Sequence, residues 1–187
     1  MSEGHIIDVN TSSRVPDTAR GAVVAIGNFD GVHRGHAAVL GLTRKVAAQS
    51  GTVPGVLTFE PHPRHYFQPH VPLLRLTPQA DKVARLTQAG MKTVFVYDFN
   101  ADLANMTAED FVDTVLIKQL GVRAVVIGPD FHFGKGRTGN ADTIRAAGIH
   151  VHVMPQTCDE AGETISATRI RTLLQQGDIA GANALLG

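Results

Sequence analysis

Short apolar runs, most of them rich in β-branched residues, recur along this chain at residues 6–9, 22–26, 52–59, 93–97, 122–127 and 149–154. Between them lie stretches with apolar residues at helical spacing, at about 35–49, 78–90, 107–120 and 141–147, then one following Ser166 and a last short one after Gly177. That alternation restricts the fold more than any other feature. Strand then helix, repeated, predicts an α/β architecture: a doubly wound parallel sheet covered by helices on both faces. In such sheets ligands bind outside the carboxyl ends of the strands, where the strand order reverses. A chain of 187 residues suits one well-cored domain.

Local signals set the element ends. Gly51 is placed as a helix stop, and Thr77 before Pro78 reads as an N-cap followed by a proline at the first helical position. Thr107 opens a capping-box-like Thr-Ala-Glu-Asp, and Ser166 is a fair N-cap for the helix holding Ile170, Leu173 and Leu174. Residues 11–20 and 100–105 read as loops. Residues 60–77 carry Pro61, Pro63, Pro69 and Pro72, which predicts a long, stiff loop without regular helix. Connections of this length in compact domains are usually functional or disordered, and His62, Arg64, His65, Tyr66 and Phe67 argue for function.

Composition excludes several classes. Lysine plus arginine and aspartate plus glutamate balance at 17 each, so no global basic field favours nucleic acid. Cys158 is the only cysteine, which excludes an internal disulfide and a cysteine-rich zinc site and suits a reducing compartment. No apolar run approaches the roughly 20 residues of a bilayer span, and the start MSEGHIIDVN lacks a secretory pattern. A soluble, cytoplasmic protein acting on small molecules, with no nucleic-acid or membrane partner, is expected.

The run from Val23 to Leu40, VVAIGNFDGVHRGHAAVL, holds the chemistry. It reads as strand, glycine-containing loop and helix, which aims unpaired backbone N–H groups and the positive end of the helix dipole at whatever sits above the strand. An anion fits there. His33 and His36 stand three residues apart at that entry, with Gly35 between them to let a ligand approach the backbone. The spacing alone is also compatible with metal ligation, a solvated helix start or a cap. Neither a Walker P-loop nor the dinucleotide Gly-x-Gly-x-x-Gly pattern is present in this stretch.

The string GNFDGVHRGH at 27–36 resembles the signature of the prokaryotic FAD synthetases, a branch of the nucleotidylyltransferase superfamily with a His/Thr-x-Gly-His motif after its first strand. TFEPHP at 58–63 followed by Phe67 resembles their second signature, and GPDFHFGKGRTGN at 128–140 their third. The superfamily's Ile-Ser-Ser-Thr-x-x-Arg is matched at Ile165, Ser166, Thr168 and Arg171, with Ala167 in place of a serine. The resemblance covers nearly all of residues 20–187, which correspond to the adenylylating half of the usual bifunctional protein. It leaves a riboflavin kinase module, in a longer native chain, as a partner.

What it implies is specific. The fold is a Rossmann-like doubly wound sheet of the nucleotidylyltransferase type with a proline-rich flap, forming a single FMN adenylyltransferase domain over residues 1–187. The reaction is transfer of AMP from ATP to FMN, giving FAD and pyrophosphate. Mg²⁺ is bound mainly through the ATP phosphates, with no protein metal ligands. His33, His36 and Arg171 are the catalytic residues. Gly27, Asn28, Phe29, Asp30, Gly35, Ser166, Thr168 and Arg171 bind ATP, and Pro61, His62, Pro63, Arg64, Phe67, Phe111, Asp130 and Phe133 bind FMN. Arg169, on another face of its helix, is expected in solvent. The rival readings are a sister nucleotidylyltransferase acting on another phosphorylated acceptor, and a nucleotide-binding module without turnover, for which Ala167 is the only encouragement.

Overall fold

The computed structural model describes residues 5–187. Six parallel strands form one sheet: β1 (His5–Val9), β2 (Val23–Ile26), β3 (Pro54–Glu60), β4 (Thr93–Asp98), β5 (Ala124–Ile127) and β6 (His150–Val153), in the order β1-β4-β3-β2-β5-β6. From β2 the chain steps outward to β3 and β4, then crosses back to lay β5 on the other side of β2. The order therefore reverses between β2 and β5, and the crevice lies at their carboxyl ends. The expected α/β, doubly wound class is the one observed.

Period-two alternation divides the core between the two faces of the sheet. Val23 and Ala25 of β2, with Val56, Val94 and Val126, pack under α1 (Arg34–Gln49) and α3 (Gln79–Gln88) through Val39, Leu40, Val46, Val83 and Leu86. Val24 and Ile26, with Leu57, Phe95, Val125 and Ile127, meet Phe111, Val112, Val115 and Leu116 on the opposite face, together with Ile144 of α6 (Ala141–Ala146). A third, smaller cluster joins α7 (Ala167–Gln175) to α8 (Ile179–Leu186) through Ile165, Ile170, Ala182 and Leu185.

Several expectations need correction. Residues 60–77 are not free of helix: α2 (Pro63–Phe67) makes one turn, because Pro63 sits in the first turn, where its missing N–H has no intrahelical partner to lose, and His62 caps it. Asn100 accepts from the amides of Asp102 and Leu103 and starts α4 (Ala101–Asn105) where a loop was expected. A 3₁₀ turn, Asp17–Ala19, interrupts the polar stretch at 11–20. Thr77 is not a cap; Pro78 occupies that position, and the Thr77 hydroxyl is used elsewhere. Thr107 caps α5 (Ala108–Asp110) as expected, but the chain then widens into a π-helical stretch, Phe111–Gln119. Its buried residues recur every four positions (111, 115, 119 and 112, 116), and the wider winding keeps both rows against the sheet.

Candidate functional site

The loop after β2 is strained. Phe29 and Val32 have positive φ of 50° and 41°, and Gly31 lies between them at 85°. Left-handed non-glycine residues cost on the order of 1–3 kcal/mol each and persist only where their surroundings over-determine them. Here the surroundings do so. The buried Asp30 carboxylate accepts from the amides of Leu76 at 3.1 Å and Thr77 at 3.0 Å and pairs with the Arg171 guanidinium. Thr77 Oγ1 accepts from Gly31 N at 3.1 Å. A side chain at Gly31 would place Cβ 2.9 Å from Leu76 Cδ1 as well as straining the turn. Burial alone would raise the Asp30 pKa, but the two backbone hydrogen bonds and the Arg171 charge outweigh it and hold the carboxylate below its usual range.

His33 is the N-cap of α1, its Nδ1 accepting from His36 N at 3.3 Å. An accepting Nδ1 puts the proton of the neutral ring on Nε2, where it remains a donor. The two rings stack, with centroids 3.7 Å apart and planes 19° apart, and His36 leans on the buried Phe29 at 5.0 Å. Burial pushes the His33 pKa down to about 4 against the attraction of Asp30. His36 is driven well below its ordinary value by burial, then by His33 and by the charge of Lys82. Both rings are neutral at pH 7. His36 Nδ1 is buried without a hydrogen-bond partner among the described residues, the kind of cost met at functional sites.

The second helix start is α7. Ser166 Oγ accepts from Arg169 N at 3.2 Å, as the expected N-cap does. Arg171 is 8 % exposed; its Nε donates to the Leu74 carbonyl at 2.7 Å and its Nη2 to Asp30. Arg169 is not in free solvent: it pairs with Asp159 at 2.7 Å and Glu163 at 2.9 Å and pins the 157–164 loop beside the helix.

Two cavities open at the switch point. The larger, of about 900 Å³, is lined by Gly27, Phe59, Pro63, Phe67, Phe99, Phe111, Phe131 and Phe133, among others. The smaller, of about 420 Å³, is lined by Asp30, His33, Gly35, His36, Ser166, Ala167, Thr168 and Arg171 with the 154–157 segment. Asn28, His62, Arg64 and Asp130 line both and mark the border. His62 caps α2 through Nδ1, which accepts from Arg64 N at 3.1 Å, and burial lowers its pKa to about 4.

Four residues expected to touch ligand stand differently. Gly27 lines the larger cavity rather than the smaller, because the chain leaves β2 on that side. The Phe29 ring is buried under His36 and lines neither cavity. Pro61 lines a separate cavity at the ends of β1, β3 and β4. Asp30 lines the smaller cavity, but its carboxylate oxygens are turned to Arg171 and the 76–77 backbone. Sequence reasoning also missed three aromatics of the larger cavity, Phe59, Phe99 and Phe131. The signal was present in position: Phe59 lies near the end of β3 and Phe99 follows β4. It missed Lys82 too, only 2 % exposed, whose Nζ binds Glu60 Oε1 at 2.6 Å and reaches the carbonyls of Asn28 and Phe59 at 3.4 Å each. Arg75 meets the same Glu60 oxygen at 2.6 Å.

A family model for FAD synthetase matches residues 15–169. The chain belongs to the FAD synthetase family. It is 39 % identical over 171 residues to a bifunctional riboflavin kinase/FMN adenylyltransferase of Pseudomonas fluorescens, a match covering 90 % of this chain and 55 % of that protein. A crystal structure titled as a macrolide-efflux protein from Streptococcus pneumoniae superposes with a TM-score of 0.87 at 29 % identity, over 98 % of this chain and 62 % of the other. Pantothenate synthetase from Thermus thermophilus, at 16 % identity, TM-score 0.51 and coverage of 95 % and 80 %, shares the fold. The chain spans about half the length of the curated relatives it matches. Among the described residues of this FAD synthetase family member, no helix is long and apolar enough to cross a membrane.

Proposed function

We propose that this chain acts as a single FMN adenylyltransferase domain, transferring AMP from ATP to FMN with release of pyrophosphate. The observation that carries this reading is the meeting of an aromatic cavity with a polar one at a border beside two stacked histidines. A flat tricyclic ring suits the phenylalanine-lined space. A nucleotide triphosphate suits the smaller one, which has two helix starts for its oxygens. The acceptor phosphate and the α-phosphate of ATP then converge at Asn28, His62, Arg64 and Asp130.

No protein nucleophile is required, since a phosphate oxygen of FMN attacks the α-phosphorus and pyrophosphate leaves with the P–O electron pair. The protein positions the two and stabilises charge. The Nε2–H of His33, together with His36, donates toward the α-phosphate oxygens. The α7 N-terminus, Ser166, Thr168 and the donors of Arg171 not held by Asp30 and Leu74 receive the β and γ oxygens. Ala167 supplies a backbone N–H but no hydroxyl. Arg64 receives the FMN phosphate, and Asp130 accepts from a ribityl or ribose hydroxyl.

Mg²⁺ fits this donor set as an ion carried by the phosphates. Among the described residues no three His, Cys, Asp or Glu side chains converge on one point, and the Asp30 carboxylate is already satisfied. Phosphate oxygens and water would hold the ion, which neutralises phosphate charge when bound. We place the protein in the cytoplasm on the strength of its single, exposed, unpaired cysteine. The test is pyrophosphate release from ATP with FMN, phosphopantetheine or nicotinate mononucleotide as acceptor. Release with FMN alone supports the reading; release with another acceptor, or with none, defeats it.

A further inference from the structure

The return of the flap is held in an unusual way. Among the described residues, 72–77 make no main-chain to main-chain hydrogen bond. Hydrogen bonds that involve at least one side chain hold them instead. Arg171 Nε binds the Leu74 carbonyl, Asp30 takes the Leu76 and Thr77 amides, Glu60 takes Arg75, and Thr77 Oγ1 accepts from Gly31 N. Asp30 and Arg171 are themselves paired, and both line the smaller cavity. The other end of the same flap contributes His62, Pro63, Arg64 and Phe67 to the larger one.

We infer that Asp30 is a positioning residue that locks Arg171 and the flap return into one latch, so that nucleotide in the smaller cavity tightens the flap over the larger. This rests on the assignment of ATP and FMN to the two cavities. A guanidinium has five N–H donors, and the latch uses two of the three nitrogens. The remaining donors can take phosphate without breaking it. Phosphate bound there restrains the guanidinium from its far side, the guanidinium restrains Leu74, and the Asp30 carboxylate restrains Leu76 and Thr77. The flap thereby loses freedom before the second ligand arrives, and that ligand meets a partly ordered wall. Linkage requires the converse: flavin in the larger cavity strengthens nucleotide binding by the same factor. Both Asp30 carboxylate oxygens are taken up by Arg171 and the Leu76 and Thr77 amides, so Asp30 acts through the groups it holds.

The experiment titrates FMN calorimetrically with and without saturating α,β-methylene-ATP and Mg²⁺. Wild type should bind FMN at least about fivefold more tightly with the analogue present, the lower end of ordinary coupling. Asp30→Asn and Thr77→Val should each bring that factor below about twofold while both ligands still bind separately, and Thr77→Ser should retain it. In wild type, the analogue alone should slow amide hydrogen exchange at residues 72–77. A factor that survives in Asp30→Asn or Thr77→Val, or exchange at 72–77 indifferent to nucleotide, overturns the latch. Should Asp30→Asn fail to fold, the Thr77 pair and the exchange measurement decide. If wild type binds neither ligand, the cavity assignment itself falls and the latch with it.

Discussion

The two cavities are built on opposite plans. The smaller is walled by polar groups already bonded to one another: Asp30 to Arg171, His33 to the His36 amide, Ser166 to the Arg169 amide. The larger is walled by aromatic rings, several of them on loops, and Phe67 stands 63 % exposed at its rim. Oxygen charge on a phosphate needs fixed donors that do not reorganise, whereas an apolar ring needs area and tolerates movement. Rigid polar and adaptable aromatic walls therefore divide the work, and substitutions should separate them cleanly.

The largest effect belongs to the histidine pair. His36→Ala and His33→Ala should each lower AMP transfer by about 10² to 10³ in kcat, near 3 kcal/mol, as expected for loss of one donor to the developing charge. Circular dichroism should show the fold retained. Turnover at the wild-type level in both variants would remove the polar cavity from the chemistry. Stability lost with a normal rate per folded molecule would reduce the pair to packing.

The same pair makes stability depend on pH. His33 has its folded pKa held down at about 4, below the ordinary value of 6.5, so between those values the unfolded chain binds a proton that the folded chain does not. Stability then rises with pH across that window, is fully present above about pH 6.5 and is lost as pH falls to 4. A separation of that size corresponds to roughly 3 kcal/mol. His33→Asn keeps a capping side chain and removes the titration. Urea unfolding at pH 7.5 and pH 4.5 should show a smaller loss in the variant than in wild type, and equal losses would mean that the ring is not withheld from protons.

Arg171→Ala should come next. A hydrogen bond from a charged donor contributes about 1.5–3 kcal/mol, so ATP should bind roughly tenfold or more weakly. FMN measured alone should change less, since the guanidinium lines only the smaller cavity. Isothermal titration of each ligand separately checks this. An equal loss for both would erase the division between the cavities.

How far these walls were legible in the sequence depends on the distance over which each is assembled. The sheet was readable because apolar runs and helical periods are local, and the His33–His36 pair because one helix start contains both. The Asp30–Arg171 pair spans 141 positions, and nothing local marks it. Asp30 accordingly read only as one of the ATP-binding residues, with no sign of its partners, Arg171 and the flap return. Lys82 carries no local mark either; only the fold brings Glu60, at the end of β3, against it. Proline in 60–77 pointed away from helix because the rule for a helix interior was applied to Pro63, which stands at a helix start. The aromatic wall was half visible: Phe67 and Phe133 belong to the signature strings, while Phe59 ends an apolar run and Phe99 follows one, positions that do not mark a ligand wall without the fold.

The smallest expected effect is at the open rim. Phe67 meets Tyr66 and Phe99 edge-on, at 5.3 Å and 5.7 Å between ring centres, and is 63 % exposed, so truncating it removes little packing from the free protein. A flavin in the cavity would cover that ring and gain a stacking partner, for which about 0.5–1.5 kcal/mol beyond area burial is typical. Phe67→Ala should therefore weaken FMN by roughly three- to tenfold, leave ATP within twofold and leave the melting temperature within about 2 °C. Phe67→Leu, which keeps apolar area without an aromatic face, should recover part of the loss and so separate burial from stacking. Fluorescence quenching of FMN measures the first quantity, calorimetry the second and thermal unfolding the third. An ATP affinity that fell in step with FMN would mean that the adaptable wall and the rigid one are a single surface.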